Sequence, residues 1–173
     1  MREFDSANAL AEAVGQEVAV SVWATVTQSA INQFAEATGD RQWIHLDPVR
    51  AQRESPFGVP VAHGFLTLSL IPDLLQQSVT IAQRMGLNYG LNKVRFPSPV
   101  PAGSRVRARF AIQAVELLDD ACQVVWAVTM EGEGSDKPVC IAELITRHYH
   151  CAASVPLAKP NLPQPGFGLA STA

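Results

Sequence analysis

A carboxylate and two imidazoles stand close together between residues 37 and 64. The run A-T-G-D-R-Q-W-I-H-L-D-P sets Asp40 five positions before His45, and R-E-S-P-F-G-V-P-V-A-H-G then ends on the pair His63-Gly64. A carboxylate beside an imidazole can hold one water, take a proton from it and return a proton nearby. The His63-Gly64 pair stands where the longest apolar run of the chain, and a helix, begins. Acid/base chemistry is what such a set could perform. Each residue also has a plainer reading. An Asp after Gly commonly bonds the backbone of its own turn, His45 could be a satisfied loop histidine, and His63 reads more readily as an organiser of the helix start than as an acid/base.

The elements that must hold these residues follow from periodicity. Residues 6–14 suit a short helix with Ser6 as N-cap and Gly15 beyond its end. Val18, Val20, Val22, Ala24 and Val26 alternate as one face of a strand. Thr27 caps a helix with a stripe of Ile31, Phe34, Ala35 and Thr38, and Gly39 ends it, so Asp40 opens a loop. Asp47-Pro48 predicts a further helical turn with Asp47 as cap. From Gly64 the run F-L-T-L-S-L-I-P-D-L-L-Q-Q-S-V predicts a helix enclosed on most sides at first. Ser69, Asp73, Gln76 and Gln77 reach solvent later, and Pro72 forces a bend or a restart of the hydrogen bonding.

The remainder reads as strands. Residues 88–96 place Asn92, Val94 and Phe96 on one parity and Lys93 and Arg95 on the other. Val106, Ala108, Phe110, Ile112 and Ala114 oppose Arg105, Arg107 and Arg109 in the next strand. After a turn at Asp119-Asp120 come Cys122, Val124, Trp126, Val128 and Met130 on one face, then a last strand over 139–149. A strand, a helix, a loop, an enclosed helix and four strands predict an α+β arrangement, an antiparallel sheet covering one long helix. One domain over 1–150 is expected, followed by a Pro-rich, extended or mobile tail over 151–173.

Composition narrows the classes. The net charge of −3 gives no reason to invoke nucleic acid or an anionic membrane. No apolar run reaches the ~20 residues that span a bilayer, and M-R-E-F-D-S lacks an apolar signal-peptide core, so a cytoplasmic location is expected. The three cysteines lack C-x-x-C spacing, and His148 and His150 share a strand face without Cys, Asp or Glu in metal-site spacing. No metal is expected.

The stretch T-G-D-R-Q-W-I-H-L-D-P, with V-A-H-G-F-L-T-L-S-L downstream, resembles the MaoC-like, R-specific enoyl-CoA hydratases. The run N-Y-G-L-N-K-V-R-F-P-S-P-V-P-A-G-S-R-V-R is similar to their NodN-like subgroup. The resemblance covers roughly residues 3–150 and implies a hot-dog fold, an antiparallel sheet curved around a central helix. It implies that Asp40 and His45 form the acid/base pair and that the Gly64 N–H is the oxyanion donor. It further implies reversible syn hydration of trans-2-enoyl-CoA to (R)-3-hydroxyacyl-CoA, no dissociable cofactor and a homodimer. Many relatives carry Asn-Pro where this chain has Gln42-Trp43, and some carry a Ser where it has Pro72. Gln42, His63, Tyr89 and Asn92 are candidate substrate contacts. Lys93 and Arg95, with the three strand arginines, could meet coenzyme A phosphates or simply form a solvated face. Rival readings are a dehydratase acting on an acyl-carrier-protein thioester and a non-catalytic acyl-thioester binder.

Overall fold

The computed structural model describes residues 1–149; His150 and the expected Pro-rich tail at 151–173 lie outside the described residues. The chain opens with strand β1 (Arg2–Phe4) and helix α1 (Ala7–Glu12), where the Ser6 side chain accepts from the Ala9 N–H. The strand expected over 17–26 is two pieces, β2 (Glu17–Val20) and β3 (Ala24–Thr25). The register against the neighbouring strand shifts between Glu17 and Ala19. Ser21 then turns inward, where its N–H bonds the Ala108 carbonyl at 2.8 Å and its hydroxyl accepts from the Ala108 N–H at 2.9 Å. Val20 and Val22 therefore face solvent instead of sharing one buried side with Val26.

Helix α2 (Gln28–Thr38) is capped by Thr27, buries Ile31 and Ala35, and stops at Gly39, whose φ of 79° is left-handed. Two short helices follow, α3 (Trp43–Leu46) and α4 (Pro48–Glu54), the second capped by the Asp47 side chain with Pro48 in its first turn. The central helix is α5 (Gly64–Ser69) followed by α6 (Ile71–Ser78). The Leu70 N–H reaches Thr67 O in a tighter turn, and the Leu74 N–H then bonds Leu70 O at 3.1 Å. The hydrogen bonding restarts, so Pro72 falls in the first turn of α6, where a missing N–H costs nothing. Ser69, Asp73, Gln76 and Gln77 are exposed as expected, but so is Phe65, which lies edge-on to Phe96.

Strand β4 (Val79–Ile81) pairs in parallel with β1, a pairing that periodicity did not suggest. The main sheet is antiparallel and combines β5 (Met85–Arg95), β6 (Arg105–Leu117), β7 (Ala121–Gly132) and β8 (Pro138–Tyr149) in the order β2-β6-β7-β8-β5, with β3 also on β6. Alternation holds in β7, where Cys122, Val124, Trp126, Val128 and Met130 are buried. In β6 a bulge between Ile112 and Ala114 ends it, so Ala114 is exposed. Leu66, Ile71, Leu74 and Leu75 press on this face, and Phe110 meets Trp126 edge to face at 6.4 Å. Each such large side chain contributes about 1.5–3 kcal/mol on burial.

The edge strand β5 departs most from its expected pattern. Two register shifts, at Asn88/Gly90 and Leu91/Val94, place Asn88, Leu91 and Val94 opposite Thr146, Leu144 and Ala142. The inward positions are spaced by three, not two, and Asn92 falls in a bulge. On the outer sheet face Arg105 pairs with Glu133, Arg107 with Glu131 at 2.6 Å, and Arg109 with Glu17 at 2.8 Å. The three strand arginines are thus matched by carboxylates of their own sheet.

Candidate active site

The loop after α2 and the segment before α5 meet through an exchange of histidines. His45 is set by α3, whose first turn closes with the His45 N–H on Gln42 O at 3.0 Å. The Val61 N–H bonds Ile44 O at 3.0 Å, and the Ala62 N–H bonds Val100 O at 2.8 Å, so residues 61–62 lie between that turn and the segment leading into β6. The imidazole of His45 then reaches across, with Nδ1 2.6 Å from Val61 O. In return, His63 Nε2 lies 2.9 Å from the Asp40 carbonyl. A carbonyl can only accept, so each of these ring nitrogens carries the hydrogen. His45 keeps Nε2 as a free base, and His63 keeps Nδ1 as an acceptor, buried with no partner among the described residues.

The two rings stack with centroids 3.8 Å apart and planes 29° apart, and Phe34 lies against His63 at 5.1 Å. His45 is 7% exposed and His63 2%. Burial pushes the His45 pKa below its ordinary 6.5, helped by the neighbouring His63, while its bond to Val61 and the Asp40 charge oppose the shift. The imidazole is neutral and able to accept a proton at neutral pH.

Asp40 stands exposed beyond the left-handed Gly39, its N–H on the Thr38 hydroxyl at 3.4 Å. No protein donor holds its carboxylate among the described residues, so that group is available to a water or a substrate. One donor atom each of Asp40, His45 and His63 lies within 4.8 Å of the others. The spacing would admit a cation.

Gly64 is the first residue of α5, and its N–H has no intrahelical partner. A Cβ at this position would stand 2.9 Å from Phe96, so the glycine leaves the backbone open beneath that ring. A cavity of about 270 Å³ adjoins it, lined in part by Phe57, Thr67, Phe96 and Val100.

The structure brings Asp40, His45 and His63 together, with Gly64 next to His63 in the chain. Gln42 is exposed at the start of α3 and makes no side-chain cap. Where relatives have Asn-Pro, Trp43 is covered instead by the Arg50 guanidinium at 4.3 Å. The other candidates sit on the edge strand, away from the pair. Tyr89 lies under the Arg147 guanidinium at 3.8 Å, Lys93 pairs with Glu143 at 3.3 Å, Arg95 bonds its neighbour Val94 O, and Asn92 is exposed in the bulge. Sequence reasoning missed Gln28, whose amide donates to His45 O at 2.8 Å and fixes the backbone behind the base. Nothing in its position, one residue into an ordinary helix, signals that task.

Comparison with known proteins gives the family and the fold. Residues 9–132 match the family model described as MaoC like domain. The chain is 52% identical over 150 residues to 3-hydroxyacyl-thioester dehydratase Z of Mycobacterium tuberculosis, covering 86% of this chain and 99% of that protein. It is 47% identical over 136 residues to nodulation protein N of Rhizobium leguminosarum bv. viciae, covering 77% of this chain and 84% of that one. Among solved structures, the unliganded R-hydratase of Pseudomonas aeruginosa superposes with a TM-score of 0.65 at 24% identity, over 90% of this chain and 92% of that one. The α+β hot-dog fold is shared.

Proposed function

The chain belongs to the MaoC-like family, and on that premise we propose that it adds water reversibly to trans-2-enoyl-CoA, giving (R)-3-hydroxyacyl-CoA. At the coarser level it is a hydro-lyase of the MaoC hydratase/dehydratase type, an enzyme rather than a passive thioester binder. The observation that carries the finer reading is the state of His45: Nδ1–H committed to Val61 O, Nε2 left as a base, and the Asp40 carboxylate close by.

The thioester itself activates C3 towards attack. A water held by Asp40 and His45 loses one proton to the pair as its oxygen bonds to C3, and the pair returns a proton to C2. Hydroxyl and hydrogen then arrive on one face, and the elements of water are conserved. Charge that builds on the thioester oxygen is met by the Gly64 N–H and the start of α5. His63 acts through position, since its ring supports His45 and its Nε2–H fixes the backbone of Asp40.

A homodimer belongs to the proposal. Strand β5 is an open sheet edge with Met85, Leu87 and Tyr89 exposed at 44, 43 and 57%. An apolar edge of that length invites pairing with a second copy. No helix among the described residues is long and apolar enough to cross a membrane.

The test is hydration of crotonyl-CoA, followed as loss of enoyl-thioester absorbance, with chiral analysis of the product. Asp40→Asn and His45→Gln should each lower kcat/KM by about 10²–10⁴ while the protein stays folded. Full activity in the double variant would overturn the roles. Matched CoA and carrier-protein substrates decide the carrier; faster turnover on the carrier-protein thioester would replace the CoA assignment.

A further inference from the structure

The central helix and β5 run side by side in opposite directions. Gly64 lies beneath Phe96 at one end, and Pro72 and Leu75 lie near Gly86 and Leu87 at the other. From Gly64 to Leu75, at about 1.5 Å per residue, is roughly 16 Å. The ground between is apolar, with Leu68 on the helix and Leu91 and Val94 at the inward positions of β5. At the far end α6, β4, β5 and β8 border a second cavity of about 390 Å³.

This cavity is not simply greasy. Leu75, Val79 and Ile81 share its wall with the amides of Gln76, Gln83 and Asn88, and no Lys, Arg, Asp or Glu lines it among the described residues. Asn88 faces it because, in the regular run before the first bulge of β5, it stands opposite the inward Thr146. The amide of Gln83 is oriented by a chain of hydrogen bonds rooted in the core. Trp126 Nε1–H donates to Thr146 Oγ1 at 2.7 Å, the Thr146 hydroxyl donates to His148 Nε2 at 2.7 Å, and His148 Nδ1–H donates to Gln83 Oε1 at 2.6 Å. The indole can only donate and the amide oxygen can only accept, and a neutral imidazole between them runs the chain towards Gln83. Its last member presents an NH₂ group with no protein acceptor among the described residues. Gly86 makes room for this amide, since a Cβ there would stand 2.8 Å from Gln83 Oε1 and 3.0 Å from Nε2.

We propose that this cavity receives the distal end of the acyl chain and selects chains that carry a neutral oxygen there, a hydroxyl or a keto group. The inference rests on the hydratase reading for the near end of the chain. Gln83 and Asn88 are exposed at the cavity mouth, where a terminal oxygen gains hydrogen bonds from their amides and a plain alkyl end gains none. A terminal carboxylate or ammonium would meet no Lys, Arg, Asp or Glu of the lining and is disfavoured more strongly.

The test compares long-chain 2-enoyl-CoA substrates of one length, with a terminal methyl, hydroxyl or carboxylate, alongside crotonyl-CoA. The wild-type protein should favour the hydroxylated chain over the methyl chain by about tenfold in kcat/KM, the effect of one or two neutral hydrogen bonds. It should turn over the carboxylated chain most slowly. Asn88→Leu and Gln83→Met should remove the preference and leave crotonyl-CoA turnover unchanged. Equal rates on the methyl and hydroxyl chains, or a preference that survives in both variants, would overturn the proposal. If crotonyl-CoA is not hydrated at all, the hydratase reading falls by itself. Calorimetric affinities for the saturated methyl- and hydroxyl-ended acyl-CoAs then decide the cavity, equal affinities refuting it.

Discussion

Replacing Gly64 by alanine separates an oxyanion role for its N–H from a packing role for the glycine. The added Cβ would stand 2.9 Å from Phe96 Cδ2, 3.0 Å from Cε2 and 3.1 Å from Cγ, so the ring must move. Phe96 is 40% exposed, which lets it swing outwards at small cost. The backbone at Gly64 needs no left-handed conformation, and alanine is favoured over glycine within a helix by up to about 1 kcal/mol. These effects oppose one another. The net change in stability should be within about 1 kcal/mol, a Tm shift of about 2–4 °C in either direction. Activity should respond differently. The thioester oxygen must come within about 2.7–3.1 Å of the N–H, and a methyl group plus a displaced ring now occupy its approach. A fall in kcat/KM on crotonyl-CoA of about 10²–10³, the scale set by an oxyanion donor the substrate can no longer reach, is expected with the melt almost unchanged. The double variant Gly64→Ala, Phe96→Ala tells the methyl from the ring: activity returns if the displaced ring is the obstacle and stays low if the methyl is. A single variant with kcat/KM within about twofold of wild type would refute the oxyanion assignment.

Two further outcomes follow from the same geometry. Since burial holds the His45 pKa below 6.5, kcat/KM should be level above that value and fall only on its acid side. Stability follows the same sign: the unfolded chain binds the extra proton first, so the contribution of neutral His45 is complete above 6.5 and is lost as the pH falls towards its folded pKa. Urea midpoints from about pH 7.5 down to pH 5 should therefore fall in the wild type and fall less in His45→Gln; parallel curves would contradict the shift. At the open sheet edge, Met85→Lys with Tyr89→Lys should convert a species of two-copy mass into a single-copy one by light scattering, and an unchanged mass would move the interface elsewhere.

Much of this architecture is legible because local chemistry decides it. Ser6, Thr27 and Asp47 cap the helices their hydroxyl and carboxylate groups suit, and Gly39 ends α2 where a left-handed residue is required. The burial of β7 follows its alternation without a break. What escapes is whatever depends on a partner strand. The bulges in β5 put Leu91 rather than Asn92 on the inner face, and Ser21 divides a strand whose valines alternate perfectly. The same holds at the site. Asp40, His45 and Gly64 can be chosen by type and spacing, but the bond from His63 to the Asp40 backbone spans 23 positions and that from Gln28 to His45 spans 17, and no local pattern encodes either.

The two histidines are also a mutual clasp: each side chain grips the main chain of the segment that carries the other. Neither segment can peel away without releasing both rings at once. Local opening of this region is then an all-or-none event, with the acid/base pair whole or absent and no half-assembled form between. A lesion that loosens either strap should lower the fraction of competent molecules while those that remain turn over at the full rate.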